Sequence, residues 1–327
     1  MTSDLSINRH NLIHYQHVVD QLRAVYALGI DFPTSDRRPM KVLLVFAHPE
    51  PRSLNGALRD AAVKELGTQG HEVRVSDLYA MRWKSEVDRA DFPSLTPDSR
   101  LKVAAASGEA FSANALTQDV KAEQEKLLWA DVLILQFPLW WYAMPAILKG
   151  WVDRVYAYGF AYGVGEHNDK RWGDRFGEGT LAGKRAMLIV TTGGWEEHYS
   201  ARGINGPIDD LLFPINHGIL FYPGYDVLPP FVAYRVDRLD QAGFESVADR
   251  LRERMRTLAT TPPIPYRRQN GGDYLIPSMQ LRSGLGDPNA TGFGHHLARN
   301  AEVLDKARPI IDEVLGPGAC EVSPTRP

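Results

Sequence analysis

Three short runs in this chain have an unbroken apolar centre: Lys41–Ala47 (KVLLVFA), Asp131–Phe137 (DVLILQF) and Lys184–Thr192 (KRAMLIVTT). A strand of that kind has no face to give to water. It must be covered by helices on both sides, which is the situation of a parallel strand inside an α/β domain. His71–Leu78 alternates as a further strand, and Tyr225–Val232 supplies a fifth. Segments with helical period lie between and after them: Asn55 to Gly70, Gln118–Trp129, Ala143–Ala157, Pro207–Leu220, bent by Pro214, and Leu239–Leu258. Strands alternating with helices predict an α/β fold with a doubly wound, parallel, five-stranded sheet. Ligands of such sheets bind at the carboxyl ends of the strands.

With 327 residues the chain is long enough for one large core with extensions. Residues 1–40 are expected to form a helical arm (Asn8 to Leu28), 41–262 the α/β domain, and 263–327 an irregular extension with a short helix near Ala301–Leu315. A long charged, Gly-rich loop spans 163–182, a length that goes with either function or disorder. The net charge of −3 and the lack of a Lys/Arg-rich run argue against a nucleic-acid partner. The sequence has no apolar run of about 18 residues and no secretion signal, so a cytoplasmic protein is expected. A single cysteine, Cys320, excludes an internal disulfide, and the histidines lack metal-ligand company at useful spacing. There is no G-x-G-x-x-G after the first strand, no P-loop and no G-x-S-x-G elbow.

Where a ligand would sit, the strand 131–137 runs into Pro138, Leu139, Trp140, Trp141 and Tyr142. Backbone amides of that loop can face a flat heteroaromatic ring while the side chains exclude water. The loop after the first strand offers Ser53 and Asn55 at a helix start, together with free N–H groups that favour an anion such as a phosphate. The same residues serve equally well as plain N-caps, and His48 either donates to the anion or caps the turn. Thr191, Thr192, Gly193 and Gly194 end the fourth strand, where glycines admit close backbone approach. Tyr199 and Asn205 follow on a Gly-rich loop; if the ring is a flavin, Tyr199 is the first candidate to stabilise negative charge on its reduced form.

These residues, with SDLYAM (Ser76–Met81), QFPLWWYAMPAILKGWVDRV (Gln136–Val155), TTGG (Thr191–Gly194), YSARGINGPI (Tyr199–Ile208) and GILFYPGYDVL (Gly218–Leu228), carry a resemblance. The chain resembles the flavodoxin-like NAD(P)H:quinone oxidoreductases of the DT-diaphorase type, over about Lys41 to Tyr266, with an echo at Gly294-His295-His296-Leu297. The resemblance implies a flavodoxin-like domain, FAD as cofactor, and a ping-pong hydride transfer from NAD(P)H to a quinone-like acceptor. It implies that His48, Ser53, Leu54 and Asn55 form the pyrophosphate loop, and that Pro138, Leu139, Trp140, Trp141 and Thr191 to Gly194 hold the flavin ring. Tyr199 falls on the catalytic tyrosine, while Tyr142, His198, Tyr162 and Tyr222 occupy substrate-pocket positions. The last two come from the partner subunit of a homodimer in that family.

Two departures stand out. Asn205 replaces the family's catalytic histidine and cannot take up a proton, and Gly243 stands near the position of an adenine-side arginine. The related alternatives are a flavin-binding regulatory subunit of a membrane transport system, and nitro- or azo-reduction by the same half-reaction.

Overall fold

The computed structural model describes residues 38–290, 292–298 and 302. The expected arm helix Asn8–Leu28, nearly all of the helix at Ala301–Leu315, and Cys320 lie outside the described residues. A compact unit runs from Arg37 to Leu285, so the expected boundary at 262/263 falls inside it.

The elements of that unit are β1 (Lys41–Phe46), α1 (Leu54–Thr68), β2 (Glu72–Asp77), α2 (Val103–Ser112), α3 (Gln118–Trp129), β3 (Val132–Pro138) and α4 (Ala146–Val155). A small hairpin, β4 (His167–Asn168) with β5 (Arg171–Trp172), precedes β6 (Arg185–Thr191). Next come α5 (Ile208–Ile215), a π-helical stretch at Asn216–Phe221, β7 (Asp226–Val227), β8 (Phe231–Ala233), α6 (Gln241–Arg256) and a second hairpin, β9 (Tyr274–Leu275) with β10 (Gln280–Leu281).

The central sheet is parallel throughout, in the order β2-β1-β3-β6-β7, with β8 also on β6. This 2-1-3-4-5 arrangement is the flavodoxin-like one, and its order reverses between β1 and β3. Alternation along each strand divides the core. Val42, Leu44, Phe46, Ile134 and Ile189 face the α1 and α6 layer; Leu43, Val45, Leu133, Leu135 and Leu188 face the layer of α2 to α5. Every residue of β3 is buried, which explains an apolar run that Gln136 alone interrupts.

The structure corrects the sequence reading at four places. The fifth strand is split: after Ala186 pairs with Val227, Leu228-Pro229-Pro230 oppose only Met187-Leu188 before Ile189 pairs with Phe231. Two prolines without N–H groups force this bulge, which an edge position tolerates. Helix α2 was not expected. It starts without a side-chain cap and buries only small residues, Ala106, Ser107 and Ala110, so it carries no strong apolar stripe. The helix expected over 207–220 is α-helical only to Ile215, with Pro214 inside its last turn. Finally, the 163–182 segment is a fastened structure. Arg171 pairs with Asp174 (2.7 Å) and Glu178 (2.6 Å), and Gln269 Nε2 donates to the carbonyls of Trp172 (3.0 Å) and Gly173 (3.2 Å). Among the described residues no helix is long and apolar enough to cross a membrane.

Candidate active site

Three loops meet at the carboxyl edge of β1, β3 and β6. In the first, Ser53 is the N-cap of α1: its backbone is extended and its Oγ accepts from the Gly56 N–H (3.1 Å). Position 56 has to be glycine, because a Cβ there would lie 1.9 Å from the Pro51 carbonyl oxygen. Among the described residues the N–H groups of Leu54 and Asn55 have no hydrogen-bond acceptor. Together with the positive end of the α1 dipole they make a place for an anion. His48 lies beside this loop, its Nδ1 within 3.1 Å of both the N–H and the carbonyl of Glu50, and its ring 6.2 Å from that of Trp140.

Asn55 ties the three strands together. Its Nδ2 donates to Thr191 Oγ1 at the end of β6 (2.5 Å), and its backbone carbonyl accepts from Gln136 Nε2 on β3 (2.7 Å). All three residues are buried, yet Asn55 Oδ1 and Gln136 Oε1 have no donor among the described residues. Buried polar atoms are normally satisfied, so two adjoining orphans at a sheet edge point to a ligand or ordered water. Gln136 escaped the sequence reading. Its signal was there: it is the one polar side chain in DVLILQF after the opening aspartate.

The loop after β3 is anchored by Leu139 N–H donating to the Thr191 carbonyl (2.8 Å). Trp140 and Ala143 then exchange two backbone hydrogen bonds of 3.0 Å, closing a turn whose central residues Trp141 and Tyr142 have φ of 50° and 61°. Such a turn normally takes Asn-Gly. Bulky aromatic residues in the left-handed region cost about 1–3 kcal/mol each, strain that tends to gather at functional sites. Trp141 is 94% exposed. Tyr142 Oη donates to Asn205 Oδ1 (2.9 Å), linking this loop to the next.

In the loop after β6, Thr192 Oγ1 lies 2.7 Å from Tyr199 Oη. The glycines between them lie close to the protein's own side chains: a Cβ on Gly193 would sit 2.5 Å from Asp237 Oδ2, and one on Gly194 2.7 Å from the Tyr199 ring, so a larger residue would displace those groups. The loop doubles back at Gly203, whose Cβ would overlap the His198 carbonyl, and Asn205 N–H donates to that carbonyl (2.9 Å). This fold-back brings Asn205 toward Tyr199 and leaves His198 exposed. Tyr234, another residue the sequence did not single out, has its ring 5.8 Å from that of Tyr199. Burial, helped by the charges of Glu196 and Asp209, pushes its hydroxyl up to about 12, so it stays protonated at neutral pH. Arg235, also left-handed at φ 56°, stacks its guanidinium 3.7 Å over the Trp195 ring.

The structure therefore gathers His48, Ser53, Leu54, Asn55, Pro138, Leu139, Trp140, Trp141, Tyr142, Thr191, Thr192, Gly193, Gly194, Tyr199 and Asn205 at one edge. Tyr162 and Tyr222 belong to other clusters. Tyr162 packs edge-on to Tyr158 (5.3 Å) and Tyr222 to Phe176 (4.9 Å). No group of three or more metal-ligating side chains occurs among the described residues.

Comparison with known proteins agrees with this fold. Residues 40–255 match the family model described as a flavodoxin-like fold. A ribosyldihydronicotinamide dehydrogenase-like protein of Penicillium crustosum is 65% identical over 266 residues, covering 81% of this chain and 98% of that one. Rat NAD(P)H dehydrogenase [quinone] 1 is 37% identical over 267 residues, covering 80% and 94%. Among solved structures, a Klebsiella pneumoniae protein has 62% identity and a TM-score of 0.77, covering 79% of this chain and all of that one. With its sheet order, its three converging loops and these relatives, the chain belongs to the flavodoxin-like NAD(P)H:quinone oxidoreductase family.

Proposed function

We propose that the protein is a cytosolic, homodimeric, FAD-dependent NAD(P)H:quinone oxidoreductase in which hydride donor and acceptor use one pocket in turn. The observation that carries this reading is the meeting of three loops around unfilled buried acceptors, Asn55 Oδ1 and Gln136 Oε1, beside two free amide N–H groups of α1. A dinucleotide flavin fits that donor set: the α1 terminus suits its pyrophosphate, and the flat walls of Pro138–Trp141 and Thr191–Gly194 suit its ring. When bound, the flavin supplies the two-electron carrier between donor and acceptor.

The chain's own groups orient and donate. Tyr199 Oη, held by Thr192 Oγ1, presents a hydroxyl where negative charge develops. Asn205 accepts from Tyr142 through Oδ1, so its Nδ2 is the atom left to donate. A neutral amide in place of an imidazolium forfeits about 1–2 kcal/mol, roughly tenfold in rate. The exposed Trp140, Trp141, Tyr142, Trp195 and Ile204 favour a dimer whose second subunit contributes Tyr162 and Tyr222 to the pocket.

The test is anaerobic stopped-flow mixing of flavin-loaded protein with NADPH or NADH, followed by a benzoquinone, with the released cofactor identified by chromatography. Rapid bleaching and recovery on quinone is the expected result. Bound flavin that neither nucleotide reduces would replace this reading with a regulatory flavoprotein. Tyr199→Phe should slow flavin reduction about 10- to 100-fold while the flavin stays bound; an unchanged rate would remove Tyr199 from the reaction.

A further inference from the structure

We infer that Arg175 recognises the phosphate of the hydride donor and so selects dinucleotide donors over a bare dihydronicotinamide riboside; the inference rests on the function proposed above. Arg175 lies in the segment that is fastened rather than loose. Phe176 N–H donates to the Tyr222 carbonyl and Gly177 N–H to the Phe221 carbonyl, both at 2.9 Å, so the backbone beside Arg175 is paired with the strip that carries Tyr222. The guanidinium carbon stands 6.0 Å from the Tyr222 ring centroid, at the outer limit of a cation–π contact.

Its anchorage is unusual in kind. Arg175 Nε donates to Gln269 Oε1 (2.5 Å), and the buried Gln269 is itself held through Nε2 by the carbonyls of Trp172 and Gly173. A neutral amide thus fixes the direction of the side chain without cancelling its charge. The neighbouring arginines are all matched to carboxylates: Arg171 to Asp174 and Glu178, Arg267 to Asp273 (3.1 Å), and Arg268 to Asp226 (3.8 Å). Arg175 has no carboxylate partner among the described residues. Its Nη1 and Nη2 remain as an oriented fork beside Tyr222, the tyrosine proposed above to line the pocket of the other subunit, so the phosphate would be read across the dimer; that fork is the geometry that takes a phosphate in two parallel hydrogen bonds. The relatives carry names for two kinds of donor, NAD(P)H and ribosyldihydronicotinamide. These differ in chemistry at one point that a guanidinium can read: the dinucleotides bear a pyrophosphate and the riboside bears none.

The experiment measures kcat/KM for NADPH, NADH and dihydronicotinamide riboside with a neutral quinone, in the flavin-loaded wild type and in Arg175→Met and Arg175→Lys. Binding of oxidised NADP+ is followed by calorimetry. In Arg175→Met the ratio of dinucleotide to riboside kcat/KM should fall about 10- to 100-fold, the loss of a charged hydrogen-bond pair. NADP+ binding should weaken in parallel, with part of both effects restored in Arg175→Lys. A ratio unchanged while all donors decline together would overturn the assignment and make Arg175 a structural clip. A loss that follows the charge of the acceptor, seen with a quinone sulfonate and not with the neutral quinone, would overturn it in favour of acceptor recognition. Failure of the underlying reading is distinct, because it appears in the wild type as flavin that no donor reduces.

Discussion

Two buried polar clusters in this protein differ in what they leave over. Around Arg154, whose side chain is 2% exposed, every charge is matched: Asp91 (2.8 Å) and Asp119 (2.7 Å) take its Nη2, Lys84 adds a second cation on Asp91 (3.1 Å), and the guanidinium lies 4.6 Å from the ring centroid of Trp83, whose indole Nε1 alone has no acceptor among these groups. Around Asn55 the same density of polar atoms ends with two acceptors unfilled. The first cluster clamps the ends of α3 and α4 to the loop at 84–91, and its charges are spent on one another. The second sits where the strand order reverses and is completed only from outside. Burial alone does not mark a functional polar group; what sets Asn55 and Gln136 apart is that two unsatisfied acceptors adjoin one another at the carboxyl edge of the sheet.

That contrast can be broken from either side. The largest expected effect is in the closed cluster. Asp91→Ala leaves a buried guanidinium with one remaining carboxylate, and urea unfolding should show a loss of about 3 kcal/mol. Flavin retention of the folded fraction should not change. In the open cluster, Asn55→Ala should lower stability by only about 1 kcal/mol, the value of one neutral hydrogen bond. It should weaken flavin retention on gel filtration roughly tenfold, since the anchor of the three loops is gone. Equal stability losses in the two variants would remove the distinction. Next in size, Trp141→Gly should raise stability by about 1 kcal/mol by relieving left-handed strain, while slowing turnover; destabilisation would show that the turn is not strained.

The smallest effect lies far from both clusters. His71 Nδ1 accepts the Met40 N–H (3.0 Å), and burial holds the imidazole below its ordinary value. The unfolded chain then binds the proton more readily than the folded one. The contribution of His71 is complete above about pH 6.5 and is lost as pH falls through the lower folded value. His71→Gln should flatten the acid side of a stability–pH curve; an unchanged slope would assign that side to the carboxylates.

The parts of this molecule that were legible in advance are those dictated by local chemistry. Uninterrupted apolar runs specify buried parallel strands, and a Ser-Leu-Asn-Gly helix start or an aromatic loop after Pro138 announces a sheet-edge site. What escaped was set by residues distant in sequence. Gln136 became informative only when its amide met the Asn55 carbonyl, and Gln269 only when it reached Arg175, 94 positions away. Helix α2 escaped for the opposite reason, since its alanines and serines are compatible with several conformations until packing selects one. The Thr191–Gly194 motif was correctly located at the end of β6, but the space its glycines provide is filled in this chain by Asp237 and Tyr199.

The split fifth strand has a consequence for how copies of this protein can assemble. An open sheet edge is normally a template on which another chain can add a strand. Here Pro229 and Pro230 bring no N–H to that edge, and the Pro229 carbonyl is occupied by Arg254 Nη2 (3.1 Å). The bulge breaks the remaining row after Val227 and allows it to resume only for Phe231–Ala233. Growth of the sheet from chain to chain is thereby hindered at this edge, and the opposite edge, β2, is the one that keeps an unbroken strand.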